Sequence, residues 1–234
     1  MRYSWSVAKP KGTPERIARI LTKLRSQVPE RFARSPMPYS KDFDRTLDIF
    51  LVAVGDAVRG HQTTARAVAN TLNHEEIVTW FDETAQHVGP ERVKLFGGTP
   101  VRRGGGGKRD MRITRVRKIA QRDGYRCGYC DVRLIEPEVL RKIDVLLGGG
   151  VLHKRSTPRN NRSYHGIWIL TAVTLDHIEP LAIRHDDSDE NLVACCWACN
   201  FGKYHFTLDE LSLEPPKTGR GTSTMWSGLR ELLG

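Results

Sequence analysis

The 234-residue chain contains no apolar run near the ~18 residues that a membrane-spanning helix requires. Its longest candidate, Ile49-Phe50-Leu51-Val52-Ala53-Val54, is far too short, so no membrane partner is expected. No apolar stretch follows Met1-Arg2-Tyr3-Ser4-Trp5 either, which argues against a secretion signal and for a cytoplasmic, reducing setting. Internal repeats are absent. A phosphate-cradling loop is absent too: Gly107-Lys108 has Arg102 where the first glycine would stand and Arg109 where the Ser or Thr would stand. What remains is a chain with 39% hydrophobic and 27% charged residues, able to bury a core and long enough for one large domain or two small ones.

Acidic residues are scarce in one place. The net charge is +10, and between Arg102 and Arg126 ten basic side chains face only Asp110 and Asp123. Such a density suits a polyanion, because each phosphate neutralised releases counterions, although a solvated surface would look the same. Within it, residues 111–122 predict a helix with Ile113, Val116 and Ala120 on one face. Arg112, Arg115, Lys118 and Arg122 lie on the other, where they are candidate contacts to a nucleic-acid backbone.

The N-terminal part reads as helical. Thr13-Pro14-Glu15 opens a helix whose Ile17, Ile20, Leu21, Leu24 and Val28 form one stripe that ends at Pro29. Asp42 to Arg59 is a second helix with Gly60 as its stop, and Thr64 to Leu72 a third. Ile77, Trp80, Phe81 and Val88 mark a fourth stripe. Residues 1–101 are therefore expected to form a helical domain for target recognition or partner binding. Residues 102–110, with four consecutive glycines, are expected to form a basic linker.

The five cysteines are concentrated. Cys127-Gly128-Tyr129-Cys130 and Cys196-Trp197-Ala198-Cys199 are two C-x-x-C pairs, which together read as a four-thiolate structural Zn2+ site. Cys195 is left over, either as a small core residue or as a competitor of Cys196. Between the pairs stand Asp176-His177-Ile178-Glu179-Pro180 and Asn191-Leu192-Val193, and after them Asn200 and Lys203. In order and spacing this set resembles the HNH family of metal-dependent nucleases over residues 111–212, leaving residues 1–101 outside the likeness.

The resemblance implies an α+β architecture: a zinc-stapled ββα-metal nuclease domain behind the helical one. It assigns His177 as general base, Asn191 as the brace of the loop carrying it, and Asn200 as a ligand of the catalytic metal. The chain thus presents His-Asn-Asn where the family name spells His-Asn-His. Elementary chemistry points the same way. A neutral imidazole can take a proton from water near pH 7, while Asp176 and Asn200 offer hard oxygen ligands to Mg2+ or Mn2+. Because neighbours on a strand face opposite ways, Asp176 and His177 must sit where a strand ends. Lys203 is a candidate phosphate contact, and His205 a lesser candidate ligand.

Residues 131–173 read as an insertion holding a helix (Glu136 to Leu147), the turn Gly148-Gly149-Gly150 and a basic stretch with Lys154, Arg155, Arg159 and Arg162. It is either a substrate-gripping loop or a surface excursion. Thr207 and Glu210 suggest a capped short helix, and residues 213–234 form a tail. The apolar Trp226, Leu229, Leu232 and Leu233 of that tail dock on the body or engage a protein partner. The leading function is an endonuclease acting on DNA in restriction or phage defence. The alternatives are a zinc-stabilised nucleic-acid-binding module without turnover, and an RNA nuclease.

Overall fold

The computed structural model describes residues 34–37, 42–72, 75–82, 112–153, 164–211, 213–221 and 226–233. The expected helix from Thr13, the glycine-rich linker and the basic stretch from Lys154 to Arg162 lie outside these residues. Among the described residues the architecture is α+β, with seven α-helices and a two-stranded sheet.

Helix α1 (Asp42–Val58) forms where apolar side chains recur at helical spacing, burying Phe43, Leu47, Phe50, Val54 and Ala57, with Asp42 and Asp44 favourably placed in its first turn. It stops at Gly60, whose φ of +90° is a conformation that suits glycine. Helix α2 (Gln62–Thr71) then folds back on α1. A further helical stretch at 75–82 buries Ile77, Val78 and Phe81.

These helices share a core with the C-terminal half of the chain. Helix α1 packs on α4 (Pro137–Leu146) and α5 (Gly166–Thr171), and the buried apolar residues from Met37 to Leu208 form one cluster. Close approach depends on two glycines. A Cβ on Gly166 would lie 2.7 Å from Cβ of Ile77, and one on Gly202 would lie 2.6 Å from Sδ of Met37.

Helix α3 (Ile113–Arg122) buries Ile119 and Ala120 and packs Val116 on the core, while Ile113, expected on that face, is exposed. The described part of the segment read as an insertion is largely core. Helix α4 starts with Pro137 in its first turn and buries Val139, Leu140 and Ile143. The glycine turn after it is fastened by the Asp144 carboxylate, which accepts from the amides of Gly150, Val151 and Leu152 at 3.0, 2.8 and 2.7 Å. Helix α5 is buried all round, its one polar side chain, Thr171, donating Oγ1 to Ile167 O at 2.7 Å, and it is capped by His165, whose Nδ1 accepts from the Ile167 amide.

Strand β1 (Val173–His177) pairs antiparallel with β2 (Leu192–Cys196), in a register that sets Val173 opposite Cys196 and His177 opposite Leu192. The connection carries the one-turn helix α6 (Leu181–Arg184). Helix α7 (Trp197–Lys203) begins directly after β2, completing a ββα unit. The expected short helix after Thr207 is a turn. Thr207 and Glu210 do bond reciprocally through side chain and backbone, at 2.8 and 3.1 Å.

The C-terminal segment closes over this unit. Lys217 N donates to Gly128 O at 2.9 Å, Gly219 N to the Asp123 carboxylate at 2.9 Å and Trp226 Nε1 to Leu134 O at 3.0 Å. Trp226, Leu229 and Leu232 pack on the core, so of the two roles read for the tail the described residues take the docked one.

Candidate functional site

The two C-x-x-C pairs meet. The Sγ atoms of Cys127, Cys130, Cys196 and Cys199 all lie within 4.8 Å of one another, and all four residues are buried. A tetrahedral zinc with Zn–S bonds of ~2.3 Å has S···S edges of about 3.8 Å. The Cys130 and Cys196 sulfurs stand 3.8 Å apart. In both pairs the later amide donates to the earlier sulfur, Cys130 N to Cys127 Sγ at 3.5 Å and Cys199 N to Cys196 Sγ at 3.4 Å. Burial pushes the thiols of Cys130 and Cys199 well up. Cys127 carries the same penalty but is pulled well down by hydrogen bonds from the other three thiols. Four buried sulfurs at this spacing are the donor set of a tetrahedral thiolate site, and the group fits Zn2+. Cys195 stays out of it, buried with its sulfur 3.3 Å from Thr174 Oγ1.

The staple has a mechanical purpose: it joins the turn after α3 to the junction of β2 and α7. Gly128 N donates to Ala194 O at 2.9 Å, and a Cβ on Gly128 would lie 2.4 Å from Cγ2 of Val193.

Strand β1 ends at His177, so Asp176 and His177 do sit at a strand terminus. Both are buried. Asp176 Oδ2 accepts from Tyr129 Oη at 2.8 Å and pairs with Lys203 Nζ at 3.2 Å. Burial raises the Asp176 carboxyl above the usual carboxylate range against the opposing pull of Lys203 and Tyr129. Both contacts fall on Oδ2, which leaves Oδ1 for a cation. Asn200, on α7, behaves in parallel: its Nδ2 donates to Thr174 Oγ1 and Leu175 O, each at 3.1 Å, and Oδ1 takes part in neither bond. The two oxygens suit a hard divalent ion.

Asn191 ties the connecting loop. Its Oδ1 accepts from Glu179 N at 2.8 Å, and its Nδ2 donates to Glu179 O at 2.9 Å and to Asp186 O at 2.8 Å. His177 Nε2 lies 2.8 Å from Asp187 Oδ1, in the same loop.

Three expected phosphate contacts are placed otherwise. Lys203 has no exposed surface: its ammonium donates to His177 O at 2.8 Å and pairs with Asp176, so it is an internal cation. Arg115 turns inward, with Nη1 on Asp187 and Nε on Asp189, each at 2.8 Å. Burial works to lower its pKa, but the bonds to the two carboxylates outweigh that and raise it. Arg122 bonds Asp123 and donates to the carbonyls of Asp189 and Leu192. The reason is common to all three: the acids of residues 186–189 and the strand ends offer nearer partners than solvent does. Lys118 also pairs with Asp189, at 2.7 Å, but keeps 72% of its side-chain surface exposed, and Arg112 is exposed. His205 stacks between Tyr204 and Phe206 and takes no part in the cysteine cluster.

Sequence reasoning missed Asp187 and Tyr129. Tyr129 hid as one of the two unspecified positions of a C-x-x-C. Asp187 hid in the acidic run Asp186-Asp187-Ser188-Asp189-Glu190, where only its position between Pro180 and Asn191 distinguished it.

Residues 161–206 match the family model described as HNH endonuclease, a span that covers α5, β1, the acidic loop, β2 and α7. No curated protein and no solved structure matches the chain. Residues 161–206 are thus similar to an HNH endonuclease domain, with the cysteine cluster beside them. Among the described residues no helix is long and apolar enough to cross a membrane.

Proposed function

We propose that the protein is a metal-dependent endonuclease that hydrolyses DNA phosphodiester bonds. One observation carries the reading: in the segment that matches the HNH family, His177 ends β1 directly after Asp176 with its ring on the Asp187 carboxylate, and Asn200 of α7 is tied to Thr174 and Leu175 of the same strand. A pure binding module needs neither an imidazole held by a carboxylate nor an asparagine tied to the strand that carries it.

In this reading His177 takes a proton from water, whose oxygen bonds to phosphorus as the bridging P–O bond breaks and the departing oxygen gains a proton. Mg2+ or Mn2+ held by Asp176 and Asn200 would supply charge neutralisation on the phosphorane and help for the leaving oxygen. Tyr129 and Lys203 fix the Asp176 carboxylate, and Asn191 holds the loop after His177. Arg112, at the N-cap of α3, and Lys118, the exposed lysine on it, contact the DNA backbone. Restriction or phage defence in the cytoplasm is the cellular setting we favour, by the company that small HNH proteins with an added domain keep. The helical segment before the nuclease supplies target recognition or a protein contact.

The test is cleavage of supercoiled plasmid with Mg2+, Mn2+ or EDTA, by the wild type and by His177→Ala. Metal-dependent nicking or linearisation that disappears in the variant is expected. Undiminished cleavage by the variant would remove His177 from the base role, and cleavage of RNA alone would replace the substrate.

A further inference from the structure

We infer that Asp187 is a positioning residue for the base, holding His177 with its proton on Nε2, and that Arg115 is the anchor that keeps Asp187 there. The inference rests on the assignment of His177 as base and extends it to two residues that act through it.

A neutral imidazole has one N–H and one lone pair, and only the lone-pair nitrogen can take a proton. The Asp187 Oδ1 atom, 2.8 Å from Nε2, is an acceptor, so Nε2 carries the hydrogen and Nδ1 the lone pair. The carboxylate thereby selects both the atom that acts as base and the orientation of the ring, which is 6% exposed. A carboxylate on a surface loop would do this poorly if it could rotate away.

Here it cannot. Asp187 Oδ2 receives Arg115 Nη1 at 2.8 Å, the Asp187 carbonyl receives Nη2 of the same guanidinium, and Nε of that group reaches Asp189. Arg122 Nη1 holds the Asp189 carbonyl at 2.6 Å, and Asn191 Nδ2 holds that of Asp186 at 2.8 Å. The fork of a guanidinium, fixing one carboxylate and one carbonyl of the same residue, is a geometry that lysine could not reproduce. Arg115 belongs to α3, which lies before the 161–206 family match. The orientation of the base is thus set by an element outside the ββα unit, and this accounts for cations of α3 turning inward.

The experiment uses the full-length, zinc-loaded protein labelled with 15N-histidine, with the His177 ring signals identified by their loss in His177→Ala. In the wild type the Nε2 signal should be that of a protonated nitrogen and Nδ1 that of a bare one. In Asp187→Asn the two forms should mix or invert, while single-turnover cleavage falls by about a hundredfold or more with DNA affinity unchanged. Arg115→Gln, which keeps the Asp187 carboxylate, should shift the ring signals in the same direction by a smaller amount and slow cleavage less. Should Asp187→Asn fail to fold, Arg115→Gln carries the test alone. An unmoved ring tautomer in the folded variants, or a wild-type cleavage rate in Asp187→Asn, overturns the proposal. The ring signals are read without turnover, so a protein that cleaves nothing would sink the base assignment while leaving the Asp187 contact separately measured.

Discussion

The wholly buried ammonium of Lys203 donates to the carbonyl oxygen of His177 at 2.8 Å while pairing with the carboxylate of Asp176, the residue just before it. One cation from α7 thus fixes both the backbone of His177 and the carboxylate of Asp176. Removing one partner of a buried pair strands the other's charge. Lys203→Met should therefore destabilise the fold by about 3–5 kcal/mol in chemical denaturation. The double variant with Asp176→Asn should recover part of the loss, and additive losses would show that the two side chains are not coupled.

The cysteine cluster predicts one zinc ion per chain. A strong chelator should release it and unfold the nuclease unit together, read as a colorimetric zinc signal that parallels the loss of circular dichroism. Cys127→Ser and Cys199→Ser should not retain the metal. Cys195→Ser should retain it, because that sulfur faces Thr174 rather than the cluster.

Gly166→Ala places a methyl group 2.7 Å from Cβ of Ile77, a β-branched centre that cannot swing aside. The cost should be about 1–3 kcal/mol. Since α1 and the 75–82 stretch share their buried cluster with the nuclease elements, the unfolding curve should shift as a single transition. A new early transition confined to the helical part would show that the two fold separately.

The loop that carries Asp187 should respond to acid in a defined sense. Hydrogen bonds from Lys118 and Arg115 hold the Asp189 carboxyl below the usual carboxylate range. Its contribution is then fully present above the unfolded value of about 3.9 and is lost as pH falls through the lower folded value. The melting-temperature difference between wild type and Asp189→Asn should be constant from pH 7 to pH 5 and close below pH 4. A gap that persists in acid would show that Asp189 acts otherwise.

Much of the site was legible because its chemistry depends on spacing. Two C-x-x-C pairs meet wherever the chain folds back, and Asp176-His177 before Pro180 pointed to a strand end, which is where β1 stops. Helix α1 was legible from its stripe and Gly60. Charge partners were not legible. Arg115, Arg122 and Lys203 look like surface cations in sequence, and only the fold brings the 186–189 acids and the strand-end carbonyls within their reach. The packing role of the spacer from 131 to 173 was hidden for a related reason. Its glycines and basic stretch suggested an excursion, while Val139, Leu140, Ile143 and the Ile167 to Leu170 run were supplying the core beneath α1.

The C-terminal strap has a consequence for the order of events during synthesis. Trp226 covers the Leu134 carbonyl and Arg230 reaches Glu136, so residues made late seal a surface formed by residues made some ninety positions earlier. On the ribosome, a chain stopped short of Trp226 would hold its cysteine cluster and its β-hairpin with that flank still open to water. That flank closes only once the strap has emerged, so the packing around α4 is completed by residues made long after it.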